Sequence, residues 1–179
     1  MLLPGWEIEP TSALQLPDEV GESFYENARA KALFGHTVEP ADRWMIGEDS
    51  GLEVEALGGR PGIYSARYAG PGATDEENVA KLLEELAGVT AAERRGRYVS
   101  ELVVLTPGLD EIRGTGTLEG TIASEPRGSE GFGYDPVFIP TGERWTVAEL
   151  GNAWKARRSH RAAAARKLLE AVGTGASER

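Results

Sequence analysis

The chain has no cysteine, only two histidines and no long apolar run among its 179 residues. Without Cys there is no disulfide, no thiolate zinc site and no Cys nucleophile. His36 and His160 make no metal-ligating pair, and no Ser-His-Asp trio is indicated. No apolar stretch approaches the roughly 18 residues that span a bilayer, so no membrane association is expected. No basic and apolar leader is visible at the start, and a cytoplasmic location is expected. Basic residues are the scarcer charge, 19 Lys+Arg against 29 Asp+Glu for a net charge of −10. Duplex nucleic acid needs a basic footprint, so no nucleic-acid partner is expected. An anionic ligand would need a local basic patch or a metal ion. Gly114, Gly116 and Gly120 do not form a glycine-rich loop ahead of a helix, which excludes a Walker site and a Rossmann fingerprint.

What remains is an ordinary globular composition, 40% hydrophobic and 27% charged, enough for one domain with a proper core. A single domain over residues 1–172 is expected, with a flexible C-terminal tail at 173–179. Leu2-Leu3-Pro4-Gly5 reads as the last turn of a helix with its stop signal, and Trp6 to Glu9 alternates like a strand. Ser23 with Glu26 reads as a capping box opening a helix over 23–34. Strands are expected at 43–47 and 52–57, separated by Gly51. Thr74 with Glu77 opens a second helix, with Val79, Leu82, Leu83 and Leu86 spaced along one face. Tyr98 to Leu105 reads as a strand, 111–124 as one or two more, and Val137 to Ile139 as a short one. Ser159 is expected to cap a final helix reaching about Val172. Interleaved helices and strands imply an α/β domain with a mixed sheet.

Three stretches carry candidate chemistry. Glu48 and Asp49 follow the apolar Trp44-Met45-Ile46 and precede Ser50-Gly51. Two adjacent carboxylates need a cation, a proton or solvent to compensate them. Asp49 could bind Mg²⁺ or take a proton from water, while Asp-Ser-Gly equally suits a solvated turn. Strand alternation points Glu48 to the opposite face from Asp49. Gly131-Phe132-Gly133-Tyr134-Asp135-Pro136 could bring backbone close to a flat ligand, with Phe132 as a stacking face and Asp135 as an acceptor. It could also be a hairpin loop with an aromatic plug. Lys155 to Arg161 is the densest basic cluster, read as sitting at a helix N-terminus where anions are favoured. A solvated cationic turn is the alternative.

Four blocks together resemble the inosine triphosphate pyrophosphatase family. They are Ser23 to Ala28 with Lys31; Asp49-Ser50-Gly51 with its tail Leu57 to Tyr68; Gly131 to Pro136; and Lys155 with Ser159-His160-Arg161. The resemblance runs from about residue 14 to 172. It implies an elongated α/β fold with a long central sheet and two lobes around a substrate cleft. It implies Mg²⁺-dependent hydrolysis of ITP, dITP and XTP to the monophosphate and pyrophosphate, by a homodimer. Carried onto this chain, Asp49 is the general base and a metal ligand, and Glu26 the second metal ligand. Ser50, Phe132, Gly133, Tyr134 and Asp135 are substrate contacts, with Phe132 against the base. Lys155 would meet the triphosphate, and His160 and Arg161 the 6-keto oxygen. Glu48 stands where the family usually has Asp, and Gly151 to Trp154 replace a usually acidic run. The family's opening strand and Thr/Ser-x-Asn-x-x-Lys loop are not found here, so a late start or a lost segment is expected. Two rival functions follow: a nucleotide binder with little or no turnover, and a pyrophosphatase of the septum-formation inhibitor type.

Overall fold

The computed structural model describes residues 3, 5–12 and 19–175. Its elements are α1 (Phe24–Val38), β1 (Met45–Val54), α2 (Asp75–Glu85), β2 (Arg95–Leu105), β3 (Glu111–Ile122), β4 (Phe138–Pro140), α3 (Val147–Leu150), α4 (Asn152–Arg158) and α5 (His160–Gly175). The α/β class read from the sequence is the class observed. The strands form one sheet in the order β1-β2-β3-β4. Where a mixed sheet was expected, β3 and β4 pair antiparallel, with Thr121 opposite Ile139. β2 and β3 are joined by a tight turn in which Thr106 N–H donates to the Asp110 carbonyl at 3.0 Å.

Two compact units divide the chain. The first comprises Met1–Asp49, Ser100–Gly116 and Arg161–Arg179. In it, successive residues of β2 serve opposite faces. Val103 and Leu105 join Met45, Ala28 and Ala32 under α1. Leu102 and Val104 join Leu3, Ala164, Ala165 and Leu168 under α5. Glycine permits the close approach on each side. A Cβ on Gly47 would lie 2.0 Å from the Ala28 carbonyl oxygen, and one on Gly114 would lie 2.3 Å from that of Ala164. Alanines on the helices and glycines on the strands thus let backbone rest on backbone.

The second unit comprises Ser50–Val99 and Thr117–His160. Its core gathers Leu52, Val54, Val79, Leu82, Leu86, Tyr98, Tyr134, Val137 and Phe138. The expected capping box of α2 is complete, with both arms between Thr74 and Glu77 made. Full burial of each of its leucines contributes about 1.5–3 kcal/mol.

Several expectations change. β1 is one strand running through Asp49-Ser50-Gly51, because β2 supplies a long pairing partner that overrides the turn-forming residues. Residues 55–57 form a short 3₁₀ turn instead of more strand. α1 continues past Gly35, whose missing side chain makes room for Met45. Trp6 to Pro10 is not a strand. Leu2 and Pro4, part of the expected helix end, lie outside the described residues. α5 runs through Gly175, so residues 173–175 are helical where a loose tail was expected. Residues 176–179 lie outside the described residues.

Candidate active site

Asp49 is buried in β1 at 7% exposure and faces α1, like Gly47 and Met45 two and four residues before it. The Asn27 amide donates to its Oδ2 at 3.1 Å, and the Lys31 ammonium to its Oδ1 at 2.9 Å. Asn27 and Lys31 are four residues apart on α1 and therefore share one helical face. Lys31 Nζ also donates to the Glu48 carbonyl at 3.0 Å and pairs with Glu19 Oε1 at 2.6 Å. Burial pushes the Asp49 carboxyl above the ordinary Asp value, and Lys31 and Asn27 only partly oppose it. Burial pulls the Lys31 ammonium down, but the two carboxylates outweigh this and hold it above the usual lysine value. The outcome is a carboxylate held above its ordinary value and anchored on two sides.

Glu26 sits in the first turn of α1. Ser23 accepts from its N–H at 3.2 Å, as expected of an N-cap. Its own carboxylate accepts from Glu22 N–H at 2.6 Å, so it ties the chain to the helix start. Glu19, not Glu26, is the carboxylate that shares Lys31 with Asp49. Glu19 went unread because nothing local marks it. Lys31 and Asn27 belong to the Ser23–Lys31 block, and their spacing alone puts them on one face. Among the described residues no three His, Asp or Glu side chains converge as a ready-made cation cage. Mg²⁺ needs less, since it keeps several waters and takes one or two carboxylates together with substrate phosphates. The Asp49–Glu19 pair fits that kind of site.

Glu48 points to the other face, as the alternation required. Its Oε1 accepts from Ser100 Oγ at 3.1 Å and from Arg161 Nε at 3.0 Å, so Arg161 enters α5 with its guanidinium already oriented. Ser50 follows Asp49 in β1 and is half-buried.

In the second unit, the loop from Gly131 to Pro136 is built around Asp135, which is 1% exposed. Asp135 Oδ2 accepts from Phe132 N–H at 3.0 Å and from the Lys155 ammonium, and Oδ1 accepts from the Tyr98 hydroxyl at 3.3 Å. Gly131 has φ +86°, and a Cβ there would lie 2.1 Å from Asp135 Oδ2. Phe132 is presented outward at 57% exposure, with Lys155 Nζ 3.6 Å from its ring centroid. Gly133 N–H donates to Asp75 Oδ2 at 2.6 Å, which pins the loop to the start of α2. Tyr134 is buried, and its hydroxyl donates to the Ser65 carbonyl at 2.9 Å. Burial, with the nearby Tyr68 and Asp75, raises its pKa. Asp135 and Tyr134 thus brace the loop from inside. His160, 3% exposed, stacks on Tyr98 with ring centroids 4.6 Å apart and planes at 14°.

The basic cluster is corrected. Lys155, Arg157 and Arg158 occupy the last turn of α4, where positive charge complements the helix C-terminus, and Ser159 separates them from α5. The Lys155 ammonium lies against the Phe132 ring and pairs with Asp135.

The sequence profile of the Ham1 family matches residues 2–171. The chain belongs to the Ham1 family. It is 49% identical over 156 residues to the dITP/XTP pyrophosphatase of Bdellovibrio bacteriovorus, covering 87% of this chain and 78% of that protein. With the dITP/XTP pyrophosphatase of Bacillus subtilis the identity is 41% over 167 residues, covering 92% and 83%. The Staphylococcus aureus Ham1 protein superposes with a TM-score of 0.82 at 39% identity, covering 91% of this chain and 82% of that one. A HAM1 protein from Coxiella burnetii gives 0.78 at 34% identity, covering 93% and 82%. The family resemblance read from four sequence blocks is therefore shown for this chain. Among its described residues no helix is long and apolar enough to cross a membrane.

Proposed function

We propose that this Ham1-family chain is a Mg²⁺-dependent nucleoside triphosphate pyrophosphatase. It hydrolyses dITP, ITP and XTP to the monophosphate and pyrophosphate and so clears non-standard purines from the nucleotide pool. The enzyme class rests on the family and on relatives named as pyrophosphatases. One observation carries the chemistry: a buried Asp49 shifted upward by burial and held by Asn27 and Lys31. Asp49 takes a proton from water as the water oxygen bonds to the α-phosphorus, and the bond from that phosphorus to the α–β bridging oxygen breaks. Asn27 and Lys31 keep the carboxylate aimed during that transfer. Asp49 and Glu19 would hold the metal, with Glu26 the candidate from the sequence. Mg²⁺, when bound, supplies positive charge against the charge developing on the phosphates.

Phe132 offers its exposed face to the base, and Lys155 and Asp135 belong with that end of the substrate. His160 and Arg161 serve as donors to a 6-keto oxygen, which penalises adenine with its amino group at that position. Homodimerisation and a cytoplasmic location are part of the same proposal, and light scattering tests the former. The function is tested by measuring kcat/KM for dITP, ITP, XTP, GTP and ATP with Mg²⁺ and with EDTA. Preference for the first three over ATP of about 100-fold or more is expected, with loss of turnover in EDTA. Equal rates on all five, or no hydrolysis of any, overturns it.

A further inference from the structure

We propose that Tyr98, which neither the motifs nor the family blocks above include, is the positioning residue that sets base recognition. This rests on the reading of Phe132, Asp135 and His160 as the base end. Tyr98 projects from β2 into the core of the second unit at 6% exposure. One face stacks on His160 at 4.6 Å and 14°, and the ring also packs on Phe138 at 4.5 Å and 44°. Its hydroxyl donates to Asp135 Oδ1 at 3.3 Å. The other oxygen of Asp135 holds the Phe132 N–H and the Lys155 ammonium. A single side chain thus connects the residue that builds the stacking loop to the residue that begins α5.

The physical consequence follows from geometry. A parallel stack fixes the plane of the imidazole, so its edge can hydrogen-bond in only one direction. Discrimination between a keto and an amino group depends on donors held in place, because a donor that can swing away penalises neither. The hydroxyl acts on Asp135 and through it on Lys155 and the Phe132 backbone. The ring is the stronger device, since 3.3 Å is long for a hydroxyl donor.

The test uses the full chain with Tyr98→Phe, which keeps the stack and removes the hydroxyl, and Tyr98→Leu, which removes both. In Tyr98→Phe the KM for ITP should rise about threefold with kcat nearly unchanged. In Tyr98→Leu it should rise about tenfold or more, and the ITP:ATP ratio of kcat/KM should fall about fivefold. A merely structural role would lower the melting temperature without moving that ratio. Unchanged KM and ratio in folded Tyr98→Leu, or in Tyr98→Phe if the former does not fold, overturns the proposal. Calorimetric binding of inosine monophosphate without metal separates it from the proposed function. A parent that binds this nucleotide but hydrolyses no triphosphate sinks the function alone. The Tyr98 variants then decide by weakened or unchanged binding. A parent that hydrolyses ITP selectively while folded Tyr98→Leu keeps its KM and ratio sinks the Tyr98 assignment alone.

Discussion

The Lys31 ammonium donates to Asp49 Oδ1 at 2.9 Å while it pairs with Glu19 Oε1 at 2.6 Å, so one cation on α1 joins two carboxylates. The ammonium thus ties both carboxylates to α1. It also keeps Asp49 ionisable in a setting that would otherwise hold its proton more tightly.

Asp49→Asn should lower kcat about 100-fold or more, since it removes the base and leaves the side-chain size. Its effect on stability depends on pH. The folded-state pKa of Asp49 lies above its unfolded value. Its protonated form therefore favours the fold fully below about pH 3.9, and this contribution is lost as pH rises through the raised pKa. At pH 8 the ionised carboxylate is a burden that Asn avoids. The variant should melt at or above the parent at pH 8, with the advantage shrinking toward pH 4. Thermal melts at the two pH values check this, and a clearly lower melting point at pH 8 contradicts it.

Lys31→Met leaves a buried carboxylate without its cation. The site is partly open, so a loss of about 1–3 kcal/mol is expected, below the range for fully buried pairs. Lys31 lowers the Asp49 pKa, so removing it should move the acid limb of the kcat profile to higher pH. In an Asp49→Asn background the same substitution should cost less, with coupling of about 0.5 kcal/mol or more. Strict additivity in urea unfolding would show that the pair is not coupled.

Gly47→Ala drives a methyl group into the α1 backbone, 2.0 Å from the Ala28 carbonyl oxygen. A loss of about 1–3 kcal/mol or more is expected, along with activity, because α1 carries Asn27 and Lys31. Gly58→Ala is the control. Its φ of +65° strains an alanine, but nothing lies within 4 Å of the new methyl group. It should lose about 1 kcal/mol and keep kcat. Equal kinetics in the two variants would detach the α1–β1 contact from function.

Phe132→Ala removes an exposed ring, so stability should change by less than about 0.5 kcal/mol. Loss of a stacking face should raise the KM for ITP about fivefold to 100-fold, with kcat less affected. An unchanged KM would remove Phe132 from base recognition.

Local signals were legible where local physics decides. Ser23 and Thr74 cap helices because their side chains satisfy the N–H groups that open them. The apolar spacing of Val79, Leu82 and Leu86 is the buried face of α2. Gly51 misled because its effect depends on β2, a partner more than 40 residues away in sequence. The helix start at Ser159 was legible, but Lys155 to Arg158 fall on α4, which went unread with α3 although Thr146 with Glu149 is a capping box visible in the sequence. In the site, Asp49 and Phe132 stood out through neighbouring glycines and charges. Glu19 and Tyr98 did not, because their partners meet them only through the tertiary fold. Asp135 was legible as an acceptor, but its partners Phe132 N–H, Lys155 and Tyr98 were not, since two of them meet it only through the tertiary fold.

The central claim is that Asp49 delivers water to the α-phosphorus, and hydrolysis of ITP in ¹⁸O-enriched water tests it most directly. Mass spectrometry of the products should find the label in inosine monophosphate, with unlabelled pyrophosphate in equal amount, and neither product from Asp49→Asn at a comparable rate. Label in the pyrophosphate, release of orthophosphate with the diphosphate, or an unimpaired Asp49→Asn would contradict it.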